Sequence, residues 1–524
     1  MSNRTGVIAT PHHLATRAGE HAFAQGGSAV DAALAAAAVL TVVYPHMCAL
    51  GGDVQALLAT ADGRARALHG TGAAARAADA TALSATHPKM PLHGVHPITV
   101  PGMVAAWGEL HAALGRLPWN DLFAPAIELA AAGVAIAPAL GRDLAALHDR
   151  LGTDAGLRAV FFHADGRVRA TGERLVQPAL AGSLEAIAEG GPRAFYDGDL
   201  GRRWLQGLRA LGSLLTADDL AAHRSEWAEP IGAGFGEWQV WTTGAPSQGH
   251  VLLQLLAGIE RLRLGSEDPL GPAGAALARL CAQTAYERDR CLADPRHVPC
   301  DVPAWISDAT VEQLLRTTSD PAWQLPAAPA APRPAGDTVA IVAHDAQGQA
   351  VTLIQSIFHA FGAGVLEPST GIVCHNRGAA FTLDNGPARL TGGRRPPTTL
   401  TPSLLTKNGR VHAAFGAMGG KSQPQILAQL LMRMRAGTPA AQALQAPRWV
   451  VGTFGQGDEV VLLAEAAIDA VGRGKLARSG LPVVVGATRD DRAGHAQFAG
   501  HDTDGAWTAA TDPRGDGAAV PPSV

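Results

Sequence analysis

Thr338 and Ser356 are the hydroxyl side chains whose surroundings suggest chemistry. Residues 339–343 and 351–357 are apolar, β-branched runs separated by His344-Asp345-Ala346-Gln347-Gly348-Gln349-Ala350, whose Asp and Gly supply turn chemistry. They predict a β-hairpin. Pairing about an Asp345-to-Gly348 tip sets Thr338 opposite Gln355 and beside Ser356, at the open end of the hairpin. A threonine hydroxyl is a poor nucleophile unless a base adjoins it, and one solution is the threonine's own α-amine, freed when the preceding peptide bond is cut. Gly336-Asp337-Thr338 follows a Pro/Ala-rich stretch without periodicity, residues 326–336, and precedes a strand, which suits such a cut. Downstream, Gly416-Ala417-Met418-Gly419-Gly420 offers consecutive backbone N–H groups without side-chain obstruction, as an oxyanion hole requires. Residue types alone leave open a plain threonine at a strand start and a glycine turn.

Other motifs fail on inspection. Gly419-Gly420-Lys421-Ser422 ends like a P-loop, but Phe415 stands where its first glycine belongs. Ala245-Pro246-Ser247-Gln248-Gly249 resembles a nucleophile elbow with its first glycine replaced, and reads better as a turn before a helix. Gly70-Thr71-Gly72 lacks the last glycine of a dinucleotide fingerprint. His12-His13 and the group His87, His93 and His96 lack helical ligand spacing, so neither a metal nor a cofactor is expected. The five cysteines form no C-x-x-C pair and read as buried, reduced thiols, and Arg514-Gly515-Asp516 reads as a polar turn.

These residues need a scaffold, and the 524-residue chain supplies one. Ser28 and Asp31 form a capping-box pattern ahead of an Ala-rich run, predicting a buried helix over 29–43 that Pro45 closes. Apolar spacing predicts further helices over 102–114, 121–132, 177–189, 200–211, 249–262 and 273–293, and a strand over 238–242. With 42 Lys+Arg against 46 Asp+Glu there is no electrostatic footprint for nucleic acid or a membrane surface. The N-terminal residues carry no apolar run of signal-peptide length, so a cytoplasmic location is expected.

Several segments resemble the gamma-glutamyltransferase family of N-terminal-nucleophile hydrolases: GGSAVDAALAAAAVLTVVYPH from residue 26, VPGMVAAWGELHAALG from 100, LTADDLAAH from 215, GDTVAIVAHDAQGQAV from 336, RRPPTTLTPSL from 394 and GAMGGKSQPQ from 416. The resemblance implies an α+β fold, a four-layer αββα sandwich, made as a precursor and self-cleaved between Asp337 and Thr338. Residues 1–337 would form a large subunit and 338–524 a small one, together one core: a heterodimer of the chain's own fragments that could pair further. Thr338 matches the family's nucleophile, Ser356 a second hydroxyl that orients it, Gly419 and Gly420 the oxyanion-hole glycines, and Thr398 and Thr399 a serine pair in the pocket.

The substrate pocket departs from the glutamyl-specific pattern. Thr71 stands where those members hold the α-carboxylate with an arginine, Phe358 replaces an asparagine, Arg377 a glutamine or glutamate, and Ala380 the aspartate that binds the α-amino group. A cation gained and an anion lost favour a small carboxylate-bearing amide without an amino group, as in the family's oxamate amidohydrolase-like subgroup. Arg377 as a purely structural ion-pair partner is an equal reading. The rival expectations are a gamma-glutamyl hydrolase or transpeptidase, an acylase for a dicarboxylic acyl amide, or an uncleaved, non-catalytic relative.

Overall fold

The computed structural model describes residues 6–265, 267–325, 337–454 and 459–519, so the Pro/Ala-rich stretch 326–336 lies outside the described residues. Helix α1 (His13–Ala24) leads into α2 (Ala29–Val43), where the expected capping box forms: Asp31 N–H donates to Ser28 Oγ at 3.2 Å and Ser28 N–H to Asp31 Oδ2 at 2.8 Å. Every residue of α2 is buried, which its all-round apolar composition requires. Then come α3 (Met103–Leu114), α4 (Ala124–Ala132), α5 (Pro178–Gly190), α6 (Asp199–Ala210), α7 (Gly249–Arg261), α8 (Gly274–Cys291) and α9 (Gln423–Arg435). The helix predicted over 121–132 is instead a 3-10 turn, Trp119–Phe123, followed by α4. Pro125 in the first turn of α4 marks the change, because its ring suits a helix start and cannot donate to a preceding turn.

Thirteen strands build two sheets. In chain order they are β1 (Gly6–Thr10), β2 (Asp53–Ala59), β3 (Ala65–Gly70), β4 (Glu226–Ala228), β5 (Ile231–Phe235), β6 (Trp238–Thr242), β7 (Asp337–Asp345), β8 (Ala350–Phe358), β9 (Ser403–Lys407), β10 (Arg410–Ala417), β11 (Ala496–His501), β12 (Trp507–Thr511) and β13 (Ala518–Ala519). The seven-stranded sheet runs β13-β1-β7-β8-β2-β3-β4 and the six-stranded sheet β12-β11-β10-β9-β6-β5. Strands from either side of residue 337 thus alternate within one sheet and adjoin in the other.

The sheets face one another across small side chains, including Ala9, Ala59, Ala350, Ala414 and Ala499, with Leu57, Val342 and Leu404. At Gly416 a Cβ would lie 3.1 Å from Ile354 Cδ1 and 3.1 Å from Thr352 Cγ2, so the sheets meet tightly there and a large side chain would crowd them. Helices cover both outer faces: α2 packs against β7 and β8 and α1 against β1 of the first sheet, and α7 packs against β5 and α9 against β10 of the second, with α8 behind α7. This is the expected αββα sandwich of open sheets flanked by helices.

The hairpin register differs by one residue from the sequence expectation. Asp345 N–H bonds Gln349 O at 2.8 Å, and the Asp345 carboxylate accepts from Gln347 N–H at 3.0 Å, Gln349 N–H at 2.9 Å and Ala29 N–H at 3.2 Å, so the tip is wider than Asp345-to-Gly348. Thr338 consequently pairs with Ser356, not Gln355. The difference decides which face each side chain takes. Gln355 points outward, its Nε2 donating to Ala37 O of α2 at 3.0 Å, whereas Thr352, on the same face as Ser356, donates to Ser403 O of the opposite sheet at 2.7 Å.

Two smaller expectations are corrected. Arg514 lies in the expected polar turn, but the turn is buried in an ion cluster, with Arg514 Nε 2.6 Å from Glu465 Oε1 and Nη1 2.9 Å from Asp512 Oδ1; the Asp516 carboxylate accepts from Tyr44 Oη at 3.0 Å. Cys48, Cys281 and Cys374 are buried, but Cys291 and Cys300 are partly exposed. The tight inter-sheet contact generates a prediction: Gly416→Leu should destabilise the protein by about 1–3 kcal/mol through overpacking, read by thermal or urea denaturation. Wild-type stability in that variant would refute the contact.

Candidate active site

The new register sets three polar residues in one row across adjacent strands: Thr338 of β7 pairs with Ser356 of β8, which pairs in turn with Asp53 of β2. Paired residues of neighbouring strands project to the same face, about 5 Å apart, here the face between the sheets. Thr338 Oγ1 donates to Ser356 Oγ at 3.1 Å, and Ser356 Oγ also accepts from Phe358 N–H at 2.8 Å. Thr338 and Ser356 are buried. Beyond Ser356 the ladder slips at a bulge, so that Phe358 pairs with Asp337, and Phe358 adopts a positive φ of 79°. A phenylalanine is costly in that region, and strain of this kind concentrates at functional sites.

The bulge turns the Phe358 ring under Arg377, whose Cζ lies 4.3 Å from the ring centroid. Arg377 begins a 3-10 turn, Arg377–Ala380, and is fully buried. Its Nε forms an ion pair with Asp53 Oδ2 at 3.4 Å, and none of Nε, Nη1 and Nη2 makes a hydrogen bond among the described residues. His375 Nδ1 lies 3.2 Å from the same Asp53 oxygen, and its Nε2 is 2.9 Å from Thr99 O. Burial pulls the Arg377 guanidinium down to about 10, with Asp53 opposing. Burial alone would raise the Asp53 carboxyl; His375 and Arg377 beside it outweigh that and hold it below the usual carboxylate range. Asp53 is thus an anion at neutral pH that anchors one edge of the guanidinium.

Thr71, expected in the pocket, is buried near this group: its Oγ1 accepts from Gln55 Nε2 at 2.9 Å, and the next residue, Gly72, directs its N–H at Asp53 Oδ1 from 3.4 Å. Ala380 is half-buried at the end of the turn. On the opposite sheet, Gly419 and Gly420 close β10 with φ of 142° and 51°, values that favour glycine, ahead of α9. Their N–H groups make no hydrogen bond among the described residues. Thr398 and Thr399 run beside the turn before α7: Thr398 N–H donates to Pro246 O at 2.9 Å, and Thr399 O accepts from Gln248 Nε2 at 2.8 Å. Ser247, the residue of the elbow-like motif, donates its hydroxyl to Leu400 O at 2.6 Å and so serves this wall.

Asp53, His375 and Gln248 were missed as site residues. Asp53 had a sequence signal, a single acid opening the otherwise uncharged run 53–59 straight after Gly51-Gly52. Gln248 had none, because its partners are backbone carbonyls more than 150 residues away in the chain.

A model of the family described as gamma-glutamyltranspeptidase matches residues 15–521. The chain is 35% identical to an oxamate amidohydrolase proenzyme of Klebsiella pneumoniae subsp. pneumoniae, over 98% of each chain. It is 34% identical to the glutathione hydrolase-like YwrD proenzyme of Bacillus subtilis, again over 98% of each. The crystal structure of a cephalosporin acylase from Bacillus halodurans superposes with a TM-score of 0.88 at 30% identity, covering 99% of this chain and 96% of that one. With the sandwich and the Thr338 hairpin in place, the chain belongs to the gamma-glutamyltranspeptidase family and is an enzyme of the N-terminal-nucleophile hydrolase type.

Proposed function

We propose that the protein is a self-processing amidohydrolase that cleaves an amide whose acyl part bears a carboxylate. Cleavage of the Asp337–Thr338 bond frees the Thr338 α-amine. The hydroxyl of Thr338 attacks the amide carbonyl while that amine accepts its proton, and the Gly419 and Gly420 N–H groups take the oxyanion. The proton returns to the leaving nitrogen, ammonia or an amine departs, and water hydrolyses the threonyl ester by the same route. Ser356 orients the Thr338 oxygen. Thr398 and Thr399 form the wall between the two sheets. The interleaved strand order supports fragments 1–337 and 338–524 remaining together, since parting them would break β1–β7 and β8–β2 pairing.

The observation that carries the carboxylate is Arg377: buried, stacked on Phe358, ion-paired at Nε with Asp53, with Nη1 and Nη2 carrying no hydrogen bond among the described residues. Such a fork suits bidentate capture of a carboxylate. Oxamate, a carboxylate adjoining an amide, meets this with one arginine and no ammonium site. A gamma-glutamyl amide is the second reading, favoured by the family model and by the glutathione hydrolase-like relative. In that reading Asp53, the buried anion beside Arg377, faces the α-amino group in place of the residue that Ala380 lacks.

Two experiments follow from these assignments. On a denaturing gel the purified wild type should give two bands that co-elute in gel filtration, and Thr338→Ala a single full-length band; a wild type that stays whole after prolonged incubation refutes self-processing. Ammonia release from oxamate and aryl-amine release from a gamma-glutamyl anilide, assayed side by side, decide the donor. Arg377→Ala should lower kcat/KM for the accepted donor by at least the tenfold that corresponds to a lost charge-assisted hydrogen bond of about 1.5–3 kcal/mol. Unchanged kcat/KM would reduce Arg377 to a structural ion pair.

A further inference from the structure

Gln248 is fully buried at the turn that opens α7, and its side-chain amide makes three hydrogen bonds. Nε2 donates to Thr399 O at 2.8 Å and to Gly420 O at 3.0 Å, and Oε1 accepts from Arg288 Nη1 at 2.7 Å. One amide from the N-terminal side of the cleavage bond thereby ties together the threonine pair and the glycine turn, both C-terminal to that bond. Arg288, buried on α8, is held in turn: Nε bonds Asp289 Oδ1 at 2.9 Å, and Asp289 Oδ2 accepts from Lys421 Nζ at 2.7 Å, one residue beyond Gly420. The loop from Gly419 to Lys421 is gripped at Gly420 O by Gln248 and at Lys421 by Asp289.

Gly419 and Gly420 need an outside restraint. Their positive φ values lie where glycine alone is comfortable, and glycine has the widest conformational freedom of any residue. An oxyanion hole works through donors already aimed before charge develops, so a turn free to rotate would lose most of its effect. We infer that Gln248 is a positioning residue for oxyanion stabilisation: by fixing the Gly420 carbonyl it sets the plane of the turn whose N–H groups face the developing charge, with Arg288 holding the Gln248 amide in the donating orientation. The inference rests on the proposed roles of Thr338 and the two glycines, but not on the identity of the donor. Among the described residues, the Gln248 side chain makes no hydrogen bond to Thr338.

The test uses full-length chain allowed to mature. Gln248→Met keeps the volume and removes all three bonds; Gln248→Glu keeps the Arg288 bond and loses both donated ones. For each variant that gives two bands and melts like the wild type, acetylation of Thr338 by p-nitrophenyl acetate is followed by mass analysis of the 338–524 fragment, together with kcat and KM on whichever donor the wild type accepts. Acetylation and kcat should fall roughly ten- to hundredfold with KM nearly unchanged, less than the about 10²–10³ expected from deleting an oxyanion donor itself. Arg288→Lys, one contact further out, should show a smaller loss in the same direction and serves where a Gln248 variant does not mature. Wild-type acetylation in a matured variant overturns the inference, as does a loss confined to KM. A wild type that is acetylated at Thr338 but accepts neither donor refutes the substrate reading and leaves the Gln248 comparison intact. A wild type that is not acetylated at all overturns both.

Discussion

The register of the β7–β8 hairpin governs everything around the site. Asp345 sets it by accepting three backbone N–H groups, two from the hairpin tip and one from the start of α2, so the tip is fastened both to itself and to the helix layer. At the open end of the hairpin, that fastening decides that Thr338, Ser356 and Asp53 share a row and a face. A slip of one residue would send Thr338 toward α2 and pair it with a glutamine already bonded to helix backbone. No other single contact carries so much of the chemistry.

Within that row, charge has been taken into the protein with few hydrogen bonds to offset it. Asp53, His375 and Arg377 are all fully buried, and an isolated buried ion would be prohibitively unfavourable. His375 and Arg377 share one Asp53 oxygen, which stabilises Asp53 as an anion, while among the described residues no nitrogen of the Arg377 guanidinium makes a hydrogen bond. Structural ion clusters in the same molecule look different. Around Arg514 and Arg448 the guanidinium nitrogens bond carboxylates and carbonyls, including Leu444 O and Glu465. The contrast between a saturated arginine and an unsaturated one is what supports the proposed binding role of Arg377.

The two sheets contribute different halves of the site. The first sheet carries the row of Thr338, the proposed nucleophile, the second the glycine turn and the threonine pair, and their approach is fixed by small inner side chains and by Gly416 lying against Ile354 and Thr352. A sandwich whose inner layer was built from larger residues would hold the two halves further apart.

Much of this was legible from residue order alone. The capping box ahead of 29–43, the two β-branched runs with a polar tip, the unobstructed glycines and the nearness of two hydroxyls at the hairpin mouth are all local patterns, set by hydrogen bonding and sterics along the chain. The family resemblance extended them to the fold. What sequence could not determine was the hairpin register, the burial of Arg514, and the parts played by Asp53, His375 and Gln248. Each depends on partners between two and several hundred residues away, through a carboxylate shared by an arginine and a histidine or an amide bridging two carbonyls. Local spacing specifies what a segment can become. Only the packing of distant segments removes water from between them, and it is that removal which decides which polar groups must find one another.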